Sequence, residues 1–178
     1  MRLTVIAAGI VIFAAFTLAV RYHFVGSGTR LKFWLLTAPP AVNMFVFVRE
    51  LWRREKSMET LGAVLCIFVA SAALFAWSVH ASRAAHLKLI FEPDQPKGVL
   101  RSGPYHYIRH PFYASYMLFW PGCAIATLHP VNVGYFLVLV PVYVFSALKE
   151  EKGFKQSPSA ADYEQYRRTA GLFWPKFR

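Results

Sequence analysis

The sequence is poor in the residues that would let it live as a soluble globule. It has only 9 Asp and Glu against 20 Lys and Arg in 178 residues, and charged residues make up 16% of the chain. With 56% hydrophobic residues, too little polar surface remains to cover a water-facing domain. Cysteine is scarce as well. Cys66 and Cys123 are the two in the chain, and both fall inside apolar runs. A disulfide framework or a zinc site needs more ligands at set spacings, so both are excluded, no metal site is expected, and the two thiols read as small buried apolar residues. Internal repeats and low-complexity segments are lacking too, which excludes a solenoid.

What is there is organised as long apolar runs. Leu3 to Val20 exceeds the ~7–15 residues of a signal-peptide core, and no small-x-small cleavage site follows it, so it reads as an uncleaved first span. Further spans are expected over Phe33 to Val48, Thr60 to Val79, Pro111 to Leu128 and Val131 to Leu148. The second contains Pro39-Pro40 and should be kinked; Pro121-Gly122 and Pro141 should bend the last two. His129-Pro130 leaves room only for a tight turn, so the fourth and fifth spans form a hairpin. The expected fold is an all-α membrane protein of about five transmembrane helices, with a C-terminal helical hairpin and an amphipathic cytoplasmic tail. Residues 1–96 form the N-terminal helices and a connecting loop, and 97–178 the functional region.

The net charge of +11 would suggest nucleic acid in a soluble protein. Here the basic residues lie between and after the apolar runs, where they meet anionic lipid and fix orientation; membrane lipids are the expected partners and nucleic acid is not. The side holding the first loop, the long loop and the tail carries 15 of the 20 Lys and Arg. That side should be cytoplasmic and the N-terminus outside, as in a bacterial inner membrane. Arg49, Arg53, Arg54 and Lys56 oppose this count, softened by Glu50, Glu55 and Glu59.

Two clusters could carry chemistry. One runs from Ser102 to Tyr113 and leads into the fourth span; the other is Glu150-Glu151 at the end of the fifth. The hairpin puts both on one membrane face, so Arg109, His110, Glu150 and Glu151 should share a small site. Ionisable groups at a membrane boundary also have a plain reading as snorkelling side chains and surface ion pairs. Against it, Pro111 suits the first turn of a helix whose free N–H groups favour an anion, and Tyr105, Tyr107 and Tyr113 add aromatic faces with hydroxyls. A ligand with a carboxylate, an aromatic base and a positive centre suits such a set, and S-adenosylmethionine has all three. In the tail, Pro158 and Ser159-Ala160-Ala161-Asp162 mark a helix start, after which Tyr163, Tyr166 and Ala170 share a face. This helix either lies along the membrane or folds back over the hairpin.

The motifs Gly103-Pro104-Tyr105, Arg109-His110-Pro111-Phe112-Tyr113, Glu150-Glu151 and Tyr163-Glu164-Gln165-Tyr166, in this order, resemble the isoprenylcysteine carboxyl methyltransferase family and related membrane phospholipid methyltransferases. The likeness covers roughly residues 97 to 175. It implies a membrane methyltransferase that uses S-adenosylmethionine, releases S-adenosylhomocysteine and acts on a lipophilic carboxylate, amine or thiol entering from the bilayer. It also implies that Lys97, Gly98, Val99, Leu100, Tyr105, His110, Pro111, Phe112, Tyr113 and Glu151 bind the cofactor. Glu150 is the candidate base or orienting group, and Arg109 the candidate partner of an anionic substrate. The sequence departs from the family at Ser115, where Gly is usual, and at Ala147, where the prenylcysteine enzymes place the Arg that meets the substrate carboxylate. Lys149 or Arg109 are the alternatives for that task. Two other readings compete. A haem-binding electron-transfer subunit would use some of the 6 His, but His80 and His86 do not share a helix face, and His23 and His129 lie on opposite sides of the expected topology. A non-catalytic membrane assembly protein would not bind S-adenosylmethionine.

Overall fold

The computed structural model describes residues 1–19, 30–84 and 99–176, with side chains of the second stretch described from residue 38. Six α-helices follow in order: α1 (Arg2–Ala19), α2 (Arg30–Arg53), α3 (Met58–Ala84), α4 (Pro111–Thr127), α5 (Pro130–Lys155) and α6 (Ala160–Thr169), with a 3-10 turn at Gly103–His106. No strand occurs among the described residues; one isolated bridge pairs Ile108 with Gly171. Among the described residues, three helices are long and apolar enough to cross a membrane: α1, α3 through Arg83, and α5. At 17 residues, α4 is shorter than the ~20 that a straight span requires.

The helix ends follow local chemistry. Ser57 caps α3, its hydroxyl accepting the Thr60 N–H at 3.2 Å. Pro111 and Pro130 open α4 and α5, where a missing N–H costs nothing. Leu128 takes a left-handed φ of 50° beyond α4, and His129 then accepts the Val131 N–H on its Nδ1 at 3.2 Å, so two residues reverse the chain. Helix α2 continues through Pro39-Pro40, α4 through Pro121 and α5 through Pro141. Helix α5 also runs seven residues past the expected end at Leu148, so Glu150 and Glu151 sit on helical backbone.

The chain divides into two compact units. The first comprises Met1–Ala70 and Leu118–Leu139. Its centre is a set of buried rings, Phe47, Phe68 and Phe119, with Phe68 and Phe119 stacked at 4.9 Å. A polar pin lies beside it. The Asn132 amide donates to Asn43 Oδ1 at 2.9 Å and to the Asn43 carbonyl at 3.0 Å, and its own Oδ1 accepts from the Thr127 hydroxyl at 3.2 Å. Asn43, Thr127 and Asn132 are all buried, so side-chain hydrogen bonding ties α2 to the α4–α5 turn.

The second unit comprises Ser71–Met117 and Val140–Arg178. Ile108, Ala114, Ala147 and Phe173 form one core, with Leu74, Tyr113, Met117, Val144 and Leu172 packed on it. Tyr163, Tyr166 and Ala170 form another, joined by Val99 and Phe154. The shared face expected of these three tail residues is therefore present, and it packs inward. One thiol is placed differently from expectation. Cys123 is buried, but Cys66 is exposed on α3, whose apolar surface has no protein covering it there.

Candidate active site

The site is built in the second unit from three pieces of chain. Gly103 starts the 3-10 turn at a φ of +59°, and a Cβ there would stand 2.9 Å from the Ala81 Cβ, so conformation and space both require glycine. The turn closes as the Ile108 N–H reaches the Pro104 carbonyl at 3.0 Å. The chain then runs extended beside the tail: Gly171 N–H donates to Tyr107 O at 3.0 Å, Arg109 N–H to Gly171 O at 2.8 Å and His110 N–H to Leu172 O at 3.1 Å. Tyr166 adds a cross-brace, its hydroxyl donating to the Tyr105 carbonyl at 2.6 Å. The tail thus folds back onto the segment before α4.

Five of the residues singled out by sequence meet directly. His110 lies between the two carboxylates, with Nδ1 3.4 Å from Glu150 Oε2 and Nε2 3.5 Å from Glu151 Oε1. The Tyr113 hydroxyl makes a short hydrogen bond to Glu150. Arg109 Nε donates to Glu151 Oε1 at 2.7 Å, and both side chains are buried, at 8% and 5% exposure. The two carboxylates differ in setting. Glu151 is enclosed by Arg109, His110 and Arg167, the last with Nε at 3.3 Å, whereas the Glu150 side chain is 35% exposed. Burial by itself would lower the His110 pKa, but the two nearby carboxylates, Glu150 and then Glu151, outweigh it and raise the imidazole above its ordinary value.

Aromatic surface continues from this cluster. His110 stacks on Tyr113 at 5.7 Å, and Tyr113 stacks on Tyr143 at 5.5 Å. Tyr105 is buried and its hydroxyl has no hydrogen-bond partner among the described residues. A buried orphan hydroxyl calls for a partner beyond these residues.

The remaining expected residues are placed as follows. Lys97 and Gly98 lie outside the described residues. Val99 and Leu100 are half-buried, Val99 against the Tyr163–Tyr166 core. Pro111 is fully buried, and Phe112 packs edge-on against Phe75 at 5.6 Å. The His110 N–H, expected to be free for an anion, is taken by the tail. Arg109 is committed inside the protein, to Glu151 and to the Ala170 carbonyl at the end of α6. Ala147 is fully buried in the Ile108–Ala114–Phe173 core.

Sequence reasoning missed Arg167, Tyr143 and Arg101. Arg167 follows the tail tyrosine motif directly, and Tyr143 lies two helical turns before Glu150; helical spacing from the acidic pair would have found Tyr143. Arg101 pairs with Asp162 and lies 5.8 Å from the Tyr166 ring centre, an arrangement with no sequence signature.

The profile of the phospholipid methyltransferase family matches residues 57–157, more than half of the chain. The chain belongs to the phospholipid methyltransferase family. It is therefore a membrane methyltransferase in kind, and the matched stretch contains the 103–113 segment and both carboxylates. No curated protein and no solved structure matches it significantly.

Proposed function

We propose that the protein is an integral membrane methyltransferase that uses S-adenosylmethionine and modifies a lipophilic acceptor reaching the site from the bilayer. The observation that carries this reading is His110 held between Glu150 and Glu151, with Tyr113 bound to Glu150. The donor set fits the cofactor: a half-exposed carboxylate, stacked aromatic faces and the orphan Tyr105 hydroxyl. When bound, S-adenosylmethionine supplies a methyl group on a cationic sulfonium.

Within the site, Glu150 offers the accessible negative charge for the cationic end or the amino group of the cofactor. Tyr113 presents a ring for stacking or cation–π contact. The Tyr105 hydroxyl donates to the same ligand. Glu151, which the family resemblance implies for the cofactor, also keeps Arg109 and His110 in place. Rate acceleration would come mainly from alignment and exclusion of water. An amine acceptor must first lose its proton, and Glu150 is the base or orienting group suited to that; a carboxylate or thiolate needs none. The proposed topology puts this end of the α4–α5 hairpin at the cytoplasmic side.

Calorimetric titration of detergent-solubilised protein with S-adenosylmethionine and S-adenosylhomocysteine tests the reading, with Glu150→Gln and His110→Ala beside wild type. Both variants should bind more weakly. Equal binding by all three proteins would remove the site assignment, and an absence of binding by wild type would remove the cofactor. Transfer of labelled methyl groups to a lipid extract then identifies the acceptor class.

A further inference from the structure

The family match ends at residue 157, yet the site does not. Residues 160–172 supply the Tyr166 brace, the backbone pairing with residues 107–110 and a second guanidinium on Glu151. Arg167 reaches the site from α6. Its Nε lies 3.3 Å from Glu151 Oε2, and its Nη1 holds Glu164 at 3.0 Å on the same helix. Its carbonyl accepts from Arg109 Nη1 at 3.4 Å and from Lys176 Nζ at 2.6 Å. Arg167 therefore touches, by side chain or backbone, both members of the buried Arg109–Glu151 pair.

We infer that Arg167 is a positioning residue: it fixes and partly neutralises the inner carboxylate, Glu151, so that His110 keeps its orientation between Glu150 and Glu151. The argument is one of charge and geometry. Glu150 and Glu151 are neighbours on a helix and compete for the two nitrogens of one imidazole. With Arg109 as its only cationic partner, Glu151 would draw harder on His110 Nε2 and pull the ring away from Glu150. A second guanidinium on its other oxygen weakens that pull. The His110 Nε2 and Arg167 Nε atoms are both buried without an aligned hydrogen bond, although each stands within 3.5 Å of Glu151. The two cations thus share one carboxylate, neither binding it fully. The groups facing His110 are Glu150 and Glu151 from α5 and the stacked Tyr113 from α4, and those facing Glu151 are Arg109, His110, Arg167 and the Tyr163 hydroxyl. Removing the Arg167 charge leaves more of the Glu151 field for the imidazole, which must then hold its proton to higher pH.

The test uses the full chain in detergent, carrying ¹³C-labelled histidine, as wild type, Arg167→Ala and Arg167→Lys, with His110→Gln to assign the signal. The His110 midpoint should rise by about half a pH unit or more in Arg167→Ala and return toward wild type in Arg167→Lys. The binding arm rests on the proposed cofactor: S-adenosylhomocysteine affinity at pH 8 should fall about tenfold in Arg167→Ala, the weight of one misplaced charged hydrogen bond, and less in Arg167→Lys. A midpoint unmoved in a cooperatively melting Arg167→Ala protein overturns the inference, whatever the affinity does. If wild type fails to bind S-adenosylhomocysteine, the cofactor reading falls while the midpoint still decides the role of Arg167. If Arg167→Ala does not fold, Arg167→Gln takes its place under the same criterion, and failure of Arg167→Lys to restore the wild-type midpoint also overturns it.

Discussion

Replacing Glu151 and Glu150 separately should split stability from ligand binding. Glu151 is 5% exposed and accepts a 2.7 Å bond from Arg109, itself 8% exposed. Removing one partner of such a buried pair costs about 3–5 kcal/mol, because the other charge is left buried and unpaired. Arg167 adds little to this figure, since its side chain is 31% exposed and can turn to water. Glu151→Ala should therefore lose roughly 3–5 kcal/mol. Glu151→Gln retains a carbonyl that accepts from Arg109, so it should lose nearer to ~1.5–3 kcal/mol, the worth of a hydrogen bond to a charged group. Glu150, at 35% exposure, has water to replace its partners, and Glu150→Gln should change stability by less than about 1 kcal/mol. The assay is unfolding of detergent-solubilised protein by heat and by SDS, with helicity as the signal. If Glu150→Gln proved as destabilising as Glu151→Ala, the division between an inner structural and an outer ligand-facing carboxylate would be wrong.

Three further outcomes follow from the same geometry. Gly103→Ala combines a left-handed φ with a Cβ 2.9 Å from Ala81, and strain with overpacking should lower stability by roughly 2–4 kcal/mol in the same unfolding assay; a neutral result would refute the placement of the turn. Asn132→Leu removes the donor to Asn43 and the acceptor of the Thr127 hydroxyl, and should cost about 1–3 kcal/mol while leaving S-adenosylhomocysteine affinity unchanged. The His110 pKa is raised in the folded protein, so its contribution is complete below the unfolded value of 6.5 and is lost as pH rises through the folded value. The thermal midpoint of wild type relative to His110→Gln should accordingly fall as pH rises above 6.5, and a constant gap would show that the imidazole does not gain its proton from folding.

Helix positions were legible because long apolar runs have few other uses, and the hairpin because only Leu128 and His129 separate two such runs. The meeting of Arg109, His110 and Tyr113 with the acidic pair followed from that hairpin alone. Two things were not legible. Hydropathy falls at Leu148 and marks the expected end of α5, but the backbone stays helical to Lys155 because Lys and Glu are good helix formers in water as well. The work of the tail was also hidden. Tyr166 and Gly171 act through the carbonyls of Tyr105 and Tyr107, and backbone partners leave no trace in side-chain patterning. Ser159 matched the expected start of α6, but its side chain makes no capping bond; Asp162, expected as part of that start, instead binds Arg101.

The departure at Ala147 yields the last prediction. Were this position to hold the cation for a substrate carboxylate, its side chain would need open space beside the site. Instead Ala147 is 0% exposed and packs with Ile108, Ala114 and Phe173. An Arg there must displace these neighbours and bring a second guanidinium into the core that adjoins Arg109. Overpacking alone costs about 1–3 kcal/mol, and a buried charge without a partner adds several more. Ala147→Arg should thus unfold the protein at markedly lower temperature and gain no methyl transfer to an S-prenylated cysteine analogue. A variant that melted like wild type and methylated that analogue would show that this face of α5 opens to substrate, and that one substitution separates this chain from the prenylcysteine enzymes.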